Sequence, residues 1–323
     1  MISPLDSPKR NAAGMPLRRL GNTGIEVSLL GFGGGHIARE HMSEADSVRL
    51  LQSAIDQGVT FLDNAWEYAD GEAERRMGLG IQGRRDQVVL MTKVCARDAK
   101  GAEEQLHDSL KRFQTDHIDV WQFHEINYDN DPEWITGSGG ALETAIKAKE
   151  QGKIRSIGFT AHKSPHIVKK MLDQGFEWDS VQIPITVMDP HYRSFISEIL
   201  PILNERDIGC IGMKSLGGEG QFVANAKLSP QDCRRFAMSQ PISTLVTGME
   251  SLENVDQDAG IARDFVPMSE TEQTALLESV QQIAGDGRHE WYKSTQFYDS
   301  PCHRNQHEFP PIGHVNSDQT IPE

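Results

Sequence analysis

Short apolar runs recur along this chain, and each is followed by a segment whose apolar positions fall three or four residues apart. A hairpin-like opening comes first, PLRRLGNTGIEVSLLGFG, with turn chemistry at Asn22-Thr23-Gly24. Residues 28–33 then read as a buried strand. VTFLD, VVLMTKV, IDVWQF, RSIGFT, DSVQIPI, IGCIGM and STLVTG follow as further strands. Between them the period changes to that of a helix. Val48, Leu51 and Ile55 share one face of EADSVRLLQSAIDQG, and Leu106, Leu110 and Phe113 share one face of AEEQLHDSLKRF. Ile196, Ile199, Leu200 and Leu203 line up in SFISEILPILNERD, where Pro201 predicts a kink. Ser164-Pro165 and Ser229-Pro230 have the form of an N-cap serine followed by proline at the first helical position. Residues 127–140 read as a long loop. Two helices, SLENVDQDAGIARDF and SETEQTALLESVQQIAG, close the pattern.

Buried runs separated by amphipathic helices predict parallel strands joined by right-handed crossovers. Eight such units in a chain of 323 residues match a (β/α)8 TIM barrel, with the N-terminal hairpin added to it. The competing doubly wound sheet would open with GxGxxG after its first strand. Here that strand is followed by GFGGGH, residues 31–36, which lacks the spacing, and Gly217-Gly218-Glu219-Gly220 comes late. The expected organisation is a flexible lead-in at residues 1–14, one barrel domain at 15–286, and an irregular C-terminal segment at 287–323.

Composition narrows the function. A formal net charge of −15 disfavours nucleic acid and anionic membrane surfaces as partners. No apolar run is long enough to span a bilayer, and the N-terminus has no secretory apolar core. Cys95, Cys210, Cys233 and Cys302 are widely spaced, which suits reduced thiols in the cytoplasm rather than a zinc or iron–sulfur framework.

Candidate chemistry gathers at strand ends. FLDNAWEYADG carries Asp63 at the end of one strand and Tyr68 in the following loop; VVLMTKV carries Lys93; IDVWQFHEI carries His124. In a parallel barrel these ends share one mouth. A phenol, with an ordinary pKa of about 10, gives up a proton more readily beside an ammonium. A carboxylate keeps that ammonium charged, and a histidine can align a carbonyl oxygen. Together they form a proton-delivery set for carbonyl reduction, with the hydride coming from elsewhere. Singly, each has an ordinary reading: a surface tyrosine, a snorkelling lysine, a satisfied buried histidine.

These segments, with RRLGNTGIEVSLLGFG, GKIRSIGFTAH and the late GMESLENVDQD, resemble the aldo-keto reductases over roughly residues 16–265. The resemblance implies a (β/α)8 barrel that binds NADPH or NADH without a Rossmann domain. It implies Tyr68 as the acid in reduction and the base in oxidation, with Lys93, Asp63 and His124 in support. It also implies cofactor contacts at Gly34, Asp63, Thr160, Gln182, Met213, Lys214, Leu216, Gly248, Met249, Glu250, Ser251, Asn254 and Asp258. Several positions depart from the family pattern. Thr160-Ala161 stands where many members have Ser-Asn, Met213 replaces a stacking aromatic, and Ala69 replaces a glycine. Glu250 falls where NADP-preferring members carry a basic residue, so NADH is expected to serve at least comparably with NADPH.

His36, Trp66 and Trp291 are candidate substrate contacts, weighed against a loop histidine and packing tryptophans. Asp129, Asn130 and Asp131 read as a solvated turn. The tail holds Trp291, Tyr292, Phe297, Tyr298 and Phe309, which suggests a segment folded over the barrel mouth or a subunit contact. His303 and His307, four apart beside Pro301, are set aside as a metal pair, and no metal is expected. The sequence reading is a cytoplasmic NAD(P)H-dependent reductase of a small carbonyl substrate, or dehydrogenase of its alcohol. The alternative is a nucleotide-binding regulatory or scaffold subunit with vestigial turnover. A hydrolase or isomerase barrel lacks a convincing carboxylate pair.

Overall fold

The computed structural model describes residues 9–218, 220–294 and 300–310. An antiparallel hairpin, β1 (Leu17–Arg19) and β2 (Glu26–Ser28), precedes eight parallel strands. These are β3 (Leu30–Gly33), β4 (Phe61–Asp63), β5 (Val89–Val94), β6 (Ile118–Phe123), β7 (Ile154–Thr160), β8 (Ser180–Pro184), β9 (Gly209–Met213) and β10 (Thr244–Gly248). They close in the order β10-β3-β4-β5-β6-β7-β8-β9, so each strand neighbours its successor and the last returns to the first. The expected TIM barrel with its hairpin is the observed fold.

The hairpin plugs the lower end. Leu20, Ile25 and Val27 form one apolar cluster with Phe61, Met91, Val120, Ile211 and Val246 from the barrel interior. A second, larger cluster lies between the strands and the surrounding helices. The helix Glu44–Asp56 presents Leu50, Leu51, Ala54 and Ile55 to it, while Val48 is only half-buried. Residues 9–14, expected as part of a flexible lead-in, are bonded to the barrel's outside. Asn11 Nδ2 donates to Gly58 O at 2.8 Å, and Arg10 Nη1 to Arg263 O at 2.7 Å.

Several local expectations need correction. The helix predicted across Pro201 is two helices, Phe195–Glu198 and Leu200–Glu205, because the proline supplies no amide to continue the first. The long loop after β6 holds a helix, Asp131–Thr136, with Pro132 in its first turn. Asp131 is not part of a solvated turn. It is fully buried, paired with Arg97 Nε at 2.9 Å, and accepts the Asn127 and Tyr128 amides at 2.9 Å each. Ser164 occupies its N-cap position without a side-chain bond, whereas Ser229 accepts the Asp232 amide at 3.0 Å.

Candidate active site

Side-chain parity builds the site. Strand residues alternate between the barrel interior and the helices, so residues two apart point the same way. The apolar layer above the plug holds Phe61, Met91, Val120, Ile211 and Val246. Two residues further along the same strands stand Asp63, Lys93, Gln122, Met213 and Gly248. A layer carrying the polar groups of Asp63, Lys93 and Gln122 thus sits directly on an apolar one, at the C-terminal mouth.

Asp63 and Lys93 are buried and ion-paired, and Lys93 Nζ also donates to Asn64 O at 2.7 Å. The other Asp63 oxygen accepts Gln182 Nε2 at 2.9 Å. Lys93 Nζ stands 5.1 Å from the centroid of the Tyr68 ring, and the His124 ring meets that ring edge-on at 5.7 Å. The four residues expected to handle the proton therefore meet at one mouth.

Tyr68 is delivered by an irregular turn after β4. Ala69 (φ 49°) and Asp70 (φ 53°) are left-handed, a conformation that costs an L-residue roughly 1–2 kcal/mol. The backbone geometry suited to glycine is thus kept at Ala69 without the glycine. Arg112 braces this turn from the helix Ala99–Phe113, donating to Trp66 O at 2.8 Å and to Glu74 Oε2 at 3.0 Å. A Cβ on Gly71 (φ 88°) would come within 2.2 Å of the Arg112 guanidinium carbon.

Burial holds the His124 imidazolium below its ordinary pKa despite the Glu67 carboxylate, so the ring is neutral at pH 7. His162, 6.4 Å away between ring centroids, is pushed well below its ordinary value by burial, with the charge of Lys214 adding.

A cleft of about 590 Å³ runs from Tyr68 past Met213 and Lys214 to Thr247, Glu250 and Asn254. Of the positions implied as cofactor contacts, Asp63, Met213, Lys214, Leu216, Gly248, Glu250 and Asn254 line it. Five others do not. Gly34 packs against Asn64, where a Cβ would lie 2.8 Å from its side chain. Thr160 Oγ1 accepts the Glu125 amide at 2.8 Å, and Met249 is core. Ser251 caps the helix Leu252–Arg263, and Asp258 is buried in a pair with Arg234 Nη2 at 2.7 Å. His36 and Trp291 line the cleft, His36 with its Nδ1 2.7 Å from Glu250. Trp66 does not: its indole donates to Asp108 at 3.1 Å, under the Arg112 guanidinium.

Unmatched polar atoms in this region test what it could hold. Among the described residues, Gln182 Oε1 is a buried acceptor without a hydrogen-bond donor. Arg234 Nε and Nη1 are likewise buried donors without an acceptor among them, and Arg234 lines the cleft. A carboxamide and a phosphate would satisfy them, so these residues fit a nicotinamide dinucleotide.

The sequence reading passed over Arg39, Glu67, Cys95, His162, Arg234 and, as a contributor to this mouth, His303. Arg39 bonds Glu250 at 2.7 Å. Glu67 could have been suspected from its place beside Tyr68. Arg234 could not, because Arg234-Arg235 in a helix reads as a solvated face. His303 and His307 are not brought together. His307 Nε2 bonds Asp131 at 3.1 Å and its ring stacks on Trp134, while His303 turns toward His124 at 5.9 Å between ring centroids. Phe297 and Tyr298 lie outside the described residues.

Comparison with known proteins agrees with this architecture. L-galactose dehydrogenase of Arabidopsis thaliana is 24% identical over 318 residues, covering 83% of this chain and 96% of that protein. Among solved structures, aldo-keto reductase AKR11C1 of Bacillus halodurans in its holo form superposes with a TM-score of 0.69 at 22% identity, covering 82% of this chain and 96% of that one. An aldo/keto reductase of Klebsiella pneumoniae in complex with NADP and acetate gives a TM-score of 0.66 at 21% identity, covering 82% and 95%. At such identities the structures speak for the fold alone. The family model described as "Aldo/keto reductase family" matches residues 29–271, three quarters of the sequence including every barrel strand, and the chain belongs to that family.

Proposed function

We propose that the protein is a cytoplasmic NAD(P)H-dependent reductase of aldehydes or ketones, working reversibly on the matching alcohols. The observation that carries this reading is the meeting of Asp63, Lys93, Tyr68 and His124 beside a cleft where Gln182 and Arg234 keep unmatched polar atoms. A bound nicotinamide cofactor supplies or accepts the hydride. Gln182 Oε1 takes its carboxamide, Met213 packs on the ring, and Lys214 and Arg234 meet its phosphates. Tyr68 gives the carbonyl oxygen its proton. Lys93 favours the phenolate left behind, Asp63 holds Lys93 charged, and His124 aligns the carbonyl. The free thiols among the described residues suit the reducing cytoplasm.

The cofactor preference follows from charge around Glu250. Its carboxylate would repel a ribose 2′-phosphate, yet Arg39 bonds it and His36 and His41 stand within 2.7 and 3.5 Å. NADH and NADPH should therefore bind within about tenfold of each other, a gap of about 1.4 kcal/mol. NADPH binding a hundredfold tighter would sink that expectation.

Tyr68→Phe tests the main reading. Turnover should vanish while cofactor binding, read by tryptophan fluorescence, stays near wild type. Substantial residual turnover refutes the role of Tyr68. A panel of aldehydes, sugar alcohols and keto-sugars, run with each cofactor, starts from the kinship with L-galactose dehydrogenase. Cofactor binding without turnover on any of them would favour a regulatory subunit instead.

A further inference from the structure

Beside the proton-delivery set, four side chains with metal-ligating atoms converge in the protein interior. They are Glu67, Cys95, His124 and His303, and one donor atom from each lies within 4.8 Å of all the others. Glu67 comes from the turn after β4, Cys95 from just past β5, and His124 from just past β6. His303 comes from the C-terminal helix Pro301–Gln306. We infer that these four side chains form a site for one zinc-type divalent transition-metal ion, which fastens the C-terminal segment to the barrel mouth. The site shares His124 with the reductase reading, but ion binding is measured without turnover, so the two can fail separately.

The donor set is one that such an ion prefers, a thiolate, two imidazoles and a carboxylate. Bonds of 2.0–2.3 Å to a tetrahedral centre put ligand atoms about 3.3–3.8 Å apart, so the widest pair must close by about 1 Å while Glu67 and His124, at 2.7 Å, must part slightly. Glu67 already gathers Cys95 and His124 around its carboxylate, and the atom this leaves unexplained is on His303. His303 Nδ1 lies 3.3 Å from Gln306 Oε1, an acceptor, so that nitrogen carries the ring proton. Nε2 is then left with a lone pair, and it is buried without a hydrogen-bond partner among the described residues, 3.8 Å from Glu125 Oε2. Gln306 is itself held, donating Nε2 to Cys95 O at 3.1 Å, in the manner of an outer partner that orients a ligating histidine.

His124 Nδ1 is buried 2.7 Å from Glu67 Oε1, with no in-line hydrogen bond among the described residues. A shared cation would hold both atoms, taking the place of the proton that otherwise lies between ring and carboxylate. The ion takes Nδ1 and leaves Nε2, so it does not consume both faces of the ring.

Charge also closes. The Glu67 carboxylate presently accepts the Cys95 thiol proton. On binding, that proton leaves for solvent, and thiolate plus carboxylate neutralise the dication. The nearby cations are already matched, Lys93 by Asp63 and Arg97 by Asp131.

The test uses the full chain, stripped by chelator and titrated with Co²⁺. One ion per chain should bind, with a thiolate-to-cobalt charge-transfer band and tetrahedral visible bands, and Zn²⁺ should displace it. Cys95→Ser should remove the charge-transfer band. His303→Ala, checked for folding by circular dichroism, should weaken Zn²⁺ at least about 100-fold, the upper range for losing even an outer partner. Cys302→Ser, which spares all four donors, should bind like wild type. Absence of the band in wild type overturns the proposal. So does a band that survives Cys95→Ser, a band lost in Cys302→Ser, or equal Zn²⁺ affinity in wild type and His303→Ala.

Discussion

Lys293→Met removes one cation from a buried cluster that ties the C-terminal segment to the barrel. Lys293 Nζ lies 2.6 Å from Asp189 Oδ1 and 3.0 Å from Glu290 Oε1, and donates to Tyr192 O at 2.9 Å. All three charged side chains are within 1% of complete burial. Two anions share this one ammonium, and they differ in what remains to them. Asp189 keeps the Ser194 hydroxyl at 2.7 Å and the Phe195 and Ile196 amides at 3.0 and 2.8 Å. Glu290 keeps only hydroxyls, from Tyr292 at 2.9 Å and Thr186 at 3.2 Å. The penalty falls chiefly on Glu290, and breaking such a buried pair costs about 3–5 kcal/mol. Burial already holds the Glu290 carboxyl above its ordinary pKa, with Lys293 opposing and Asp189 assisting. A raised folded-state pKa gives stability that is present at low pH and lost as pH rises through it. The deficit of the variant should therefore shrink between pH 7 and pH 5. Urea unfolding at both pH values measures it, and Glu290→Gln added to Lys293→Met should recover part of the loss. A deficit under about 1 kcal/mol at pH 7 would refute the assignment of a buried charge cluster.

Other outcomes follow from the same contacts. A stop after Asp286 deletes Glu290, Lys293 and the buried Tyr292 together, so that truncation should be less stable to urea than one after Ser294. A stop after Ser294 keeps the cluster, and it should alter substrate selectivity more than cofactor affinity; unchanged selectivity on a carbonyl panel would count against a tail that shapes the site. Burial raises the Asp131 carboxyl, but Arg97, His307 and the Tyr128 amide outweigh it and hold the group well below the usual carboxylate range. Its stabilising share is thus present above the unfolded value of about 3.9 and lost as pH falls below it. Urea midpoints measured from pH 6 down to pH 3 should fall less steeply in Asp131→Asn than in wild type, and parallel curves would exclude the pairing. Gly71→Ala should cost about 1–3 kcal/mol and lower turnover, because it strains a left-handed residue and displaces the Arg112 brace. A melting temperature equal to wild type would contradict this.

Strand identity was legible because each barrel strand is a short apolar run between helical periods, and the meeting of Asp63, Lys93, Tyr68 and His124 was legible because they stand at or just beyond strand ends. The cofactor side was harder to read. Thr160 and Asp258 occupy family positions but spend their side chains on Glu125 and Arg234. Sequence spacing places a residue on an element without saying which neighbour claims its hydrogen bonds. Trp66 shows the same limit: it lies between Asp63 and Tyr68 in the chain, yet its indole bonds Asp108 instead of lining the cleft. Contacts such as His303 with His124, or Lys293 with Asp189, join residues more than a hundred positions apart, and no local pattern announces them.

The polar layer at the mouth is one side chain deep. Asp63 and Lys93 rest on Phe61 and Met91, which belong to the plugged apolar layer beneath. Chemistry and architecture are therefore written in different letters of the same strands. A lineage can rewrite the upper letters, trading one reaction for another, without disturbing the lower ones that close the barrel. The reverse does not hold: inserting one residue early in a strand would exchange inward and outward positions together, so fold and reaction would be lost in a single step. Substitution is the route by which this framework can change its reaction, and insertion is tolerable only in the loops.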